Sequence, residues 1–265
     1  MIRSLLKNLF NKLGYEIGPI EALKKSNDPF EVLQRLLGKE KVRVIVDGGA
    51  SIGDTSEKFC NCFPKATVHA FEPYPSFQKI IEQKSLKNNR IQLAPFALSD
   101  RKSDALMYVN ESEGTNSLLK ADTQGMSSVY GDLLKEKGTL PVQTTSLDDW
   151  MENAEIAYLD ILKLDIQGFE IEAIRGARET LGDGRVKSIL CEVMFRKCYE
   201  RQAEWGELVN EIMRCGFVLF NFFEPQYVNG QLCQADGLFL HESIIKSALK
   251  QGQMHFHSYS NILID

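Results

Sequence analysis

Five residues in the first third of the chain carry chemistry at a suggestive spacing: Asp47, Gly48, Gly49, Gly53 and Glu72. Asp47 follows the β-branched run at 42–46, and Glu72 closes a second apolar run at 68–71 that Pro73 and Pro75 halt. The glycines let the backbone turn sharply and let a ligand approach where a Cβ would otherwise stand. Asp54 and Thr55 suit the start of a helix, where free N–H groups need acceptors. A strand, a glycine turn, a helix and a strand ending in an acid make one βαβ unit, with a nucleoside-sized crevice at its carboxyl edge.

Two cofactors suit such a crevice, and in either case Glu72 can accept from two ribose hydroxyls. A dinucleotide fingerprint sets Gly-x-Gly-x-x-Gly against a pyrophosphate at a helix N-terminus. Here the register Gly48, Ala50, Gly53 lacks the middle glycine, and the Asp47 carboxylate repels a pyrophosphate. The same carboxylate attracts the ammonium of a methionyl group, so the pattern favours S-adenosylmethionine over NAD. The bland alternative is a βαβ unit whose glycines serve packing alone.

The elements that must position this crevice follow the rhythm of an α/β sheet. Helix 76–85 carries Phe77, Ile80 and Ile81 inward, and strand 91–94 leads to Ala97, Leu98, Ser99 and Asp100, expected beside the cofactor's base; Ser99 and Asp100 either accept from the adenine amino group or cap a turn. Residues 101–145 break the rhythm, with strand segments at 105–109 and 142–145 around a polar stretch. Such a long excursion in a compact domain is usually functional or mobile. It reads as a lid over the acceptor pocket, with Asn116 and Ser117 nearest the site. Strand 158–164 ends in Lys163, Asp165, Gln167 and Gly168, and helix 170–181 follows with Ile171, Ile174, Ala177 and Leu181 on one stripe. Strand 186–193 has Glu192 near its end, helix 205–215 comes next, and short strands at 217–220 and 237–240 close the domain.

The chain has 265 residues, enough for one large α/β domain, read here as 41–245 behind an N-terminal helical extension at 1–40 and before a tail at 246–265. Its net charge of −5 gives a nucleic-acid partner no electrostatic support. No apolar run approaches the ~20 residues that a membrane span needs, and Lys7, Asn8, Asn11 and Lys12 interrupt any signal-peptide core. The six cysteines form no Cys-x-x-Cys pair, so they read as reduced thiols of a cytoplasmic protein, with no zinc or redox motif. Residues 2–13 form an amphipathic helix through Leu5, Leu6, Leu9, Phe10 and Leu13. With few cations, it suits packing on its own domain or on a second subunit of a homodimer better than a membrane surface. Asp28-Pro29 opens a further helix that Gly38 ends. His255-x-His257 reads as solvated tail before it reads as a metal pair.

The runs Val-Asp-Gly-Gly-Ala-Ser-Ile-Gly-Asp-Thr (46–55), Phe-Glu-Pro-Tyr-Pro (71–75), Ala-Leu-Ser-Asp (97–100), Thr-Ser-Leu-Asp-Asp (145–149), Leu-Lys-Leu-Asp-Ile-Gln-Gly-Phe-Glu (162–170), Arg-Gly-Ala (175–177) and Cys-Glu-Val (191–193) together resemble the FkbM family of S-adenosylmethionine-dependent methyltransferases. The resemblance covers roughly residues 40 to 240 and is most specific at 163–170. It implies a Rossmann-like, seven-stranded, mostly parallel sheet with its last strand antiparallel and helices on both faces. It also implies O-methylation of a hydroxyl on a sugar, a polysaccharide precursor or a natural product. Gln167 stands where the family pattern often has Glu, so it reads as a substrate contact and not as an essential base.

On this reading Asp47, Gly48, Gly49, Ala50, Gly53, Asp54, Thr55, Glu72, Pro73, Ala97, Leu98, Ser99 and Asp165 hold the cofactor, and Asn116, Ser117 and Gln167 meet a small-molecule or glycan acceptor. A hydroxyl acceptor must lose a proton, which a positioned base speeds by about 10²–10⁴-fold. Asp165 is the first candidate, then Glu192 and Glu170. Asp165 can equally position the cofactor or cap the next helix, and Asp165 with Glu192 could bind a divalent metal through oxygen. N-methylation of an amine or peptide, which needs no strong base, and a cofactor-binding protein without chemistry are the competing functions.

Overall fold

A computed structural model describes residues 28–122 and 131–250. The amphipathic run at 2–13 and the pair His255 and His257 lie outside these residues. Seven strands form the main sheet: β1 (Val44–Gly48), β2 (Thr67–Phe71), β3 (Ile91–Ala94), β7 (Leu159–Leu164), β8 (Val186–Met194), β9 (Phe217–Val228) and β10 (Gln231–His241). Their order is β3-β2-β1-β7-β8-β10-β9. β10 runs antiparallel to both β8 and β9, while the remaining pairs are parallel. The last strand in the chain is thus the reversed one, slotted between β8 and β9. The chain leaves β1 toward β2 on one side and returns as β7 on the other, and ligands of such sheets bind at that switch point.

Side chains alternate across the sheet, and both faces are covered. Ile45, Val68, Ile161, Leu190 and Leu238 point to one core, under Phe30 and Leu33 of helix Pro29–Leu33, Phe59 of helix Asp54–Cys62, Phe63 just past its end, and Ile81 of helix Pro75–Lys87. Val46, Phe71, Leu162, Ile189 and Phe239 point to the other, under Leu147, Met151, Ile171, Ile174 and Ile212 from the helices Leu147–Asn153, Glu170–Arg175 and Trp205–Arg214. This two-sided burial is why these strands are apolar runs without polar alternation. Each fully buried Leu, Ile or Phe contributes about 1.5–3 kcal/mol.

Several elements differ in extent from the sequence pattern. The single helix expected at 170–181 is two, Glu170–Arg175 and Arg178–Gly182. Gly176 passes so close to the Ser99 carbonyl that a Cβ would lie 2.0 Å from its oxygen. The second helix restarts on Asp148, whose carboxylate accepts from the free N–H groups of Glu179 (3.1 Å) and Thr180 (2.9 Å). The last two strands run as a long hairpin well beyond 217–220 and 237–240. Helix Pro29–Leu33 passes into a π-helical turn, Gln34–Gly38, and its N-cap Asp28 accepts from Phe30 N at 2.9 Å.

The excursion is a second sheet. β4 (Ala97–Leu98) pairs in parallel with β6 (Glu136–Thr145), and β5 (Ser103–Asn110) lies antiparallel on its other side. The intervening chain doubles back through a bridge between Tyr108 and Ser117.

The glycine turn after β1 is packed against the end of β7. Gly49 has φ +73°, and a Cβ there would stand 1.9 Å from the backbone oxygen of Asp165. The space its missing side chain leaves is filled by protein, which corrects the expectation that it is kept clear for a ligand. Gly49→Ala should therefore cost about 3 kcal/mol or more, measured by urea unfolding. A loss below about 1 kcal/mol would show that the two turns are not in contact.

Candidate functional site

The carboxyl ends of β1, β2 and β7 meet at a cavity. Its floor is the turn Gly48–Gly53. Gly49 N and Ala50 N both donate to Phe71 O, at 3.1 and 3.0 Å, tying the turn to the end of β2. Ser51, at φ 51°, turns its N–H toward Glu72, whose Oε2 accepts it at 2.8 Å, while Oε1 accepts Tyr74 N at 2.8 Å. The Glu72 carboxylate is thus buried, held from two sides, and still borders the cavity. Burial pushes it up to about 7, against the Ser51 and Tyr74 N–H groups and the Lys163 charge; Asp47 adds to the rise.

Phe77, Phe96, Leu98 and Met107 give the cavity an apolar slot, and Glu72, Glu113, Asn116 and Asp165 give it polar points. No Lys, Arg or His lines it among the described residues. A pyrophosphate would find no counter-charge, whereas an uncharged nucleoside with a sulfonium tail suits apolar walls and carboxylates. The residues present therefore fit S-adenosylmethionine.

Asp165 also borders a second cleft, with Thr55, Lys58, Lys163, Glu192, Glu224 and Asp236. One amide organises the acids here. Gln167, at φ 56°, donates from Nε2 to Asp165 Oδ1 (2.8 Å) and to Glu192 Oε2 (3.1 Å). Its own Oε1 lies 3.0 Å from the Tyr199 hydroxyl, and its carbonyl accepts from Ser117 Oγ at 2.7 Å. Gln234 Nε2 donates to the other Glu192 oxygen at 2.7 Å. Burial, then the charges of Asp165, Glu170 and Asp236, push Glu192 well above the usual carboxylate range. Burial, then the charges of Asp165 and Glu224, raise Asp236 to about 6.

The expected site residues fall into three groups. Gly49, Glu72, Pro73, Ala97, Leu98, Asn116, Ser117, Asp165 and Gln167 line the first cavity. Thr55 and Glu192 line the cleft beside it. The remaining side chains face elsewhere. Asp47 is fully buried, accepts from Ser56 Oγ at 2.6 Å and lies 3.2 Å from Lys163 Nζ, so its charge is spent inside the protein. Ser99 gives its N–H to Thr145 O and its hydroxyl to Asp100, within the small sheet. Asp54 pairs with Lys84 at 2.6 Å on the surface. Gly48, Ala50 and Gly53 shape the turn beneath the cavity. Glu170 is buried behind the β7 turn, where its Oε1 accepts from Ile166 N (2.9 Å) and Gly168 N (3.1 Å). Burial raises it to about 7. Of the three candidate bases, Asp165 and Glu192 are brought together and Glu170 is committed to the turn. Gln167 touches the acids and not open cavity alone, because both its amide hydrogens are taken. Among the described residues no three His, Cys, Asp or Glu side chains form a group that could hold a metal ion.

Three contributors were not singled out from the sequence as site residues. Lys163 is one, and its signal was present, since a lone cation inside Leu-Asp-Ile-Leu-Lys-Leu must be paired if that strand is buried. Its Nζ lies 3.2 Å from Asp47 Oδ1, donates to Gly48 O (3.2 Å) and Gly49 O (3.0 Å), and stands 3.7 Å from Asp165 Oδ2. Burial lowers its pKa, but the charges of Asp47 and Asp165 and the hydrogen bond to Asp47 outweigh that and hold it raised. Asp236 and Tyr199 gave no local signal.

Comparison with known proteins follows this geometry. The Methyltransferase FkbM domain model matches residues 47–219, more than half of the chain. A 2-O-methyltransferase, NoeI, of Sinorhizobium fredii is 27% identical over 69% of this chain and 76% of its own length. A hexuronic acid methyltransferase, AglP, of Haloferax volcanii is 26% identical over 63% of this chain and 62% of its own. A solved FkbM methyltransferase from Methylobacillus flagellatus superposes with a TM-score of 0.47 at 15% identity, over 76% of this chain and 44% of that one. The family model defines a methyltransferase of the S-adenosylmethionine-dependent class. The chain belongs to the FkbM methyltransferase family. Among its described residues no helix is long and apolar enough to cross a membrane.

Two consequences are measurable. The folded chain holds a proton on Glu72 that the unfolded chain releases near 4.5, so the group's contribution is full below that pH and is lost as pH rises through about 7. Stability by urea unfolding should fall across this window, and Glu72→Gln should flatten the fall, leaving the similar share of Glu170. An identical slope in wild type and variant would remove Glu72 from the titration. Lys163→Met leaves Asp47 buried without its cation and should cost about 3–5 kcal/mol; a cost under about 1 kcal/mol would mean the ammonium is not essential there.

Proposed function

We propose that this protein transfers a methyl group from S-adenosylmethionine to a hydroxyl of a sugar, a polysaccharide precursor or a related natural product. The observation that carries the reading is Asp165, a partly exposed carboxylate shared by the nucleoside-sized cavity and the acidic cleft beside it. The names of two relatives, a 2-O-methyltransferase and a hexuronic acid methyltransferase, support an oxygen acceptor on a carbohydrate.

S-adenosylmethionine, when bound, supplies an electrophilic methyl on a sulfonium sulfur. Glu72 is the acceptor for its ribose hydroxyls, and the slot of Phe77, Phe96, Leu98 and Met107 takes its base. Asp165 would take the proton of the acceptor hydroxyl as the oxygen–methyl bond forms and the methyl–sulfur bond breaks, with S-adenosylhomocysteine as the leaving group, and would then return the proton to solvent. Gln167 and Lys163 fix Asp165 from two sides, one by a hydrogen bond and the other by charge. Holding the reacting groups in line supplies roughly 7–11 kcal/mol in favourable cases. Glu192, pushed well above the usual carboxylate range by burial and by its acidic neighbours, sits beside Asp165 on the other hydrogen of the Gln167 amide.

The test combines an acceptor panel with one substitution. Radiolabelled methyl transfer to saccharides, with amines and peptides alongside, should favour the saccharide hydroxyls. Asp165→Asn keeps the shape and removes the charge. Turnover should fall by about 10²-fold or more while calorimetric affinity for S-adenosylhomocysteine changes little. Near wild-type turnover in Asp165→Asn, or transfer confined to amines, would overturn the reading.

A further inference from the structure

The loop that closes the cavity carries a buried donor with nothing to bond. Asn116 is 7% exposed and lines the cavity. Its Oδ1 accepts from Asn110 N at 2.9 Å, which fixes which way the amide faces. Its Nδ2 is buried and has no hydrogen-bond partner. A buried amide nitrogen left unpaired costs about 1–3 kcal/mol, so such a group in a cavity wall marks where a ligand acceptor belongs.

The loop is held firmly enough for this donor to be preformed. Asn110 Nδ2 donates to Thr115 O at 2.6 Å, and Ser117 Oγ donates to Gln167 O at 2.7 Å. Gln167 and Ser117 have thereby committed their own side-chain hydrogens. Both Glu72 oxygens already accept from backbone N–H groups, and Asp165 Oδ1 accepts from the Gln167 amide. What the cavity lacks is a ligand acceptor opposite Asn116, beside an apolar slot shaped for a flat ring. The ring nitrogens of a purine accept in the plane of the ring and present apolar faces above and below it.

We infer that Asn116 donates from Nδ2 to a ring nitrogen of the cofactor's adenine and makes the cavity selective for that base. The inference rests on the S-adenosylmethionine reading above, and it moves Asn116 from the acceptor side of the reaction, where sequence had put it, to the nucleoside side. Asn116 is here a binding residue with no part in the chemistry.

Calorimetry needs no turnover and separates the two readings. Wild-type protein is titrated with S-adenosylhomocysteine and with three analogues, each having one acceptor ring nitrogen of adenine replaced by C–H. One analogue should bind about 5–10-fold more weakly than the parent. Asn116→Ala should bind the parent more weakly by a similar factor and should no longer distinguish it from that analogue. If the alanine variant does not fold, Asn116→Asp, which keeps the acceptor for Asn110 N, is put through the same titrations. Equal affinity of wild type for all four ligands overturns the inference, as does a penalty of the same size in wild type and variant. Failure of wild type to bind S-adenosylhomocysteine at all would overturn the cofactor reading itself.

Discussion

A buried ammonium holds this site together. Lys163 rises from the middle of the sheet into the angle between the β1 turn and the end of β7, where two carbonyls and two carboxylates surround it. Taking a lysine out of water is expensive, and only near-complete replacement of its hydration by oriented oxygens offsets that cost. The geometry that achieves this also joins the two strand ends whose separation forms the crevice. It neutralises Asp47, which would otherwise be an isolated charge in the core, and holds Asp165 at the mouth. The turn then closes on itself through Gly49, whose lack of a Cβ lets the Asp165 peptide come into contact.

Above this lock the protein gathers more negative charge than one small region can comfortably hold. Asp165, Glu192 and Asp236 share a cleft with one buried lysine and the exposed Lys58. Burial and acidic neighbours push Glu192 well above the usual carboxylate range and Asp236 up to about 6, while Asp165 is left nearest to both Lys163 and solvent. Gln167 does what a cation would otherwise do, giving one amide hydrogen to each of two carboxylates. Its left-handed backbone is the strained conformation that aims the amide between them. Tyr199 and Ser117 brace it from the excursion side, so the acids and the loop over the cavity are one hydrogen-bonded unit.

The excursion is therefore a wall of the cavity. Its small sheet is anchored on β4, the two residues that follow β3 and border the cavity. The bridge from Tyr108 to Ser117 turns the chain back so that Met107, Asn116 and Leu118 face the same space as Phe77 and Leu98. Few of these contacts are local in sequence.

Sequence by itself determined the sheet and the place of the crevice. Apolar runs such as Val-Ile-Val and Leu-Asp-Ile-Leu-Lys-Leu must be buried on both faces, and glycines with an acid at each strand end mark a carboxyl-edge site whatever the details. The place of Glu72 and Asp165 at the carboxyl edge could be anticipated from those runs, and the reversed last strand from the family resemblance they carry. Only the tertiary structure decided which way individual side chains face. Asp47 and Asp165 stand at the ends of neighbouring strands and look equivalent in the sequence, yet one is sealed under the turn with Ser56 and the other opens to two cavities. Glu170 reads as a catalytic acid beside Asp165, but the left-handed turn at Gln167 and Gly168 folds its carboxylate back onto the N–H groups of Ile166 and Gly168. Tyr199 and Asp236 acquire their meaning from neighbours dozens of residues away. A motif fixes local backbone and residue type, whereas facing and hydrogen-bond satisfaction depend on long-range packing, which no short stretch of sequence encodes.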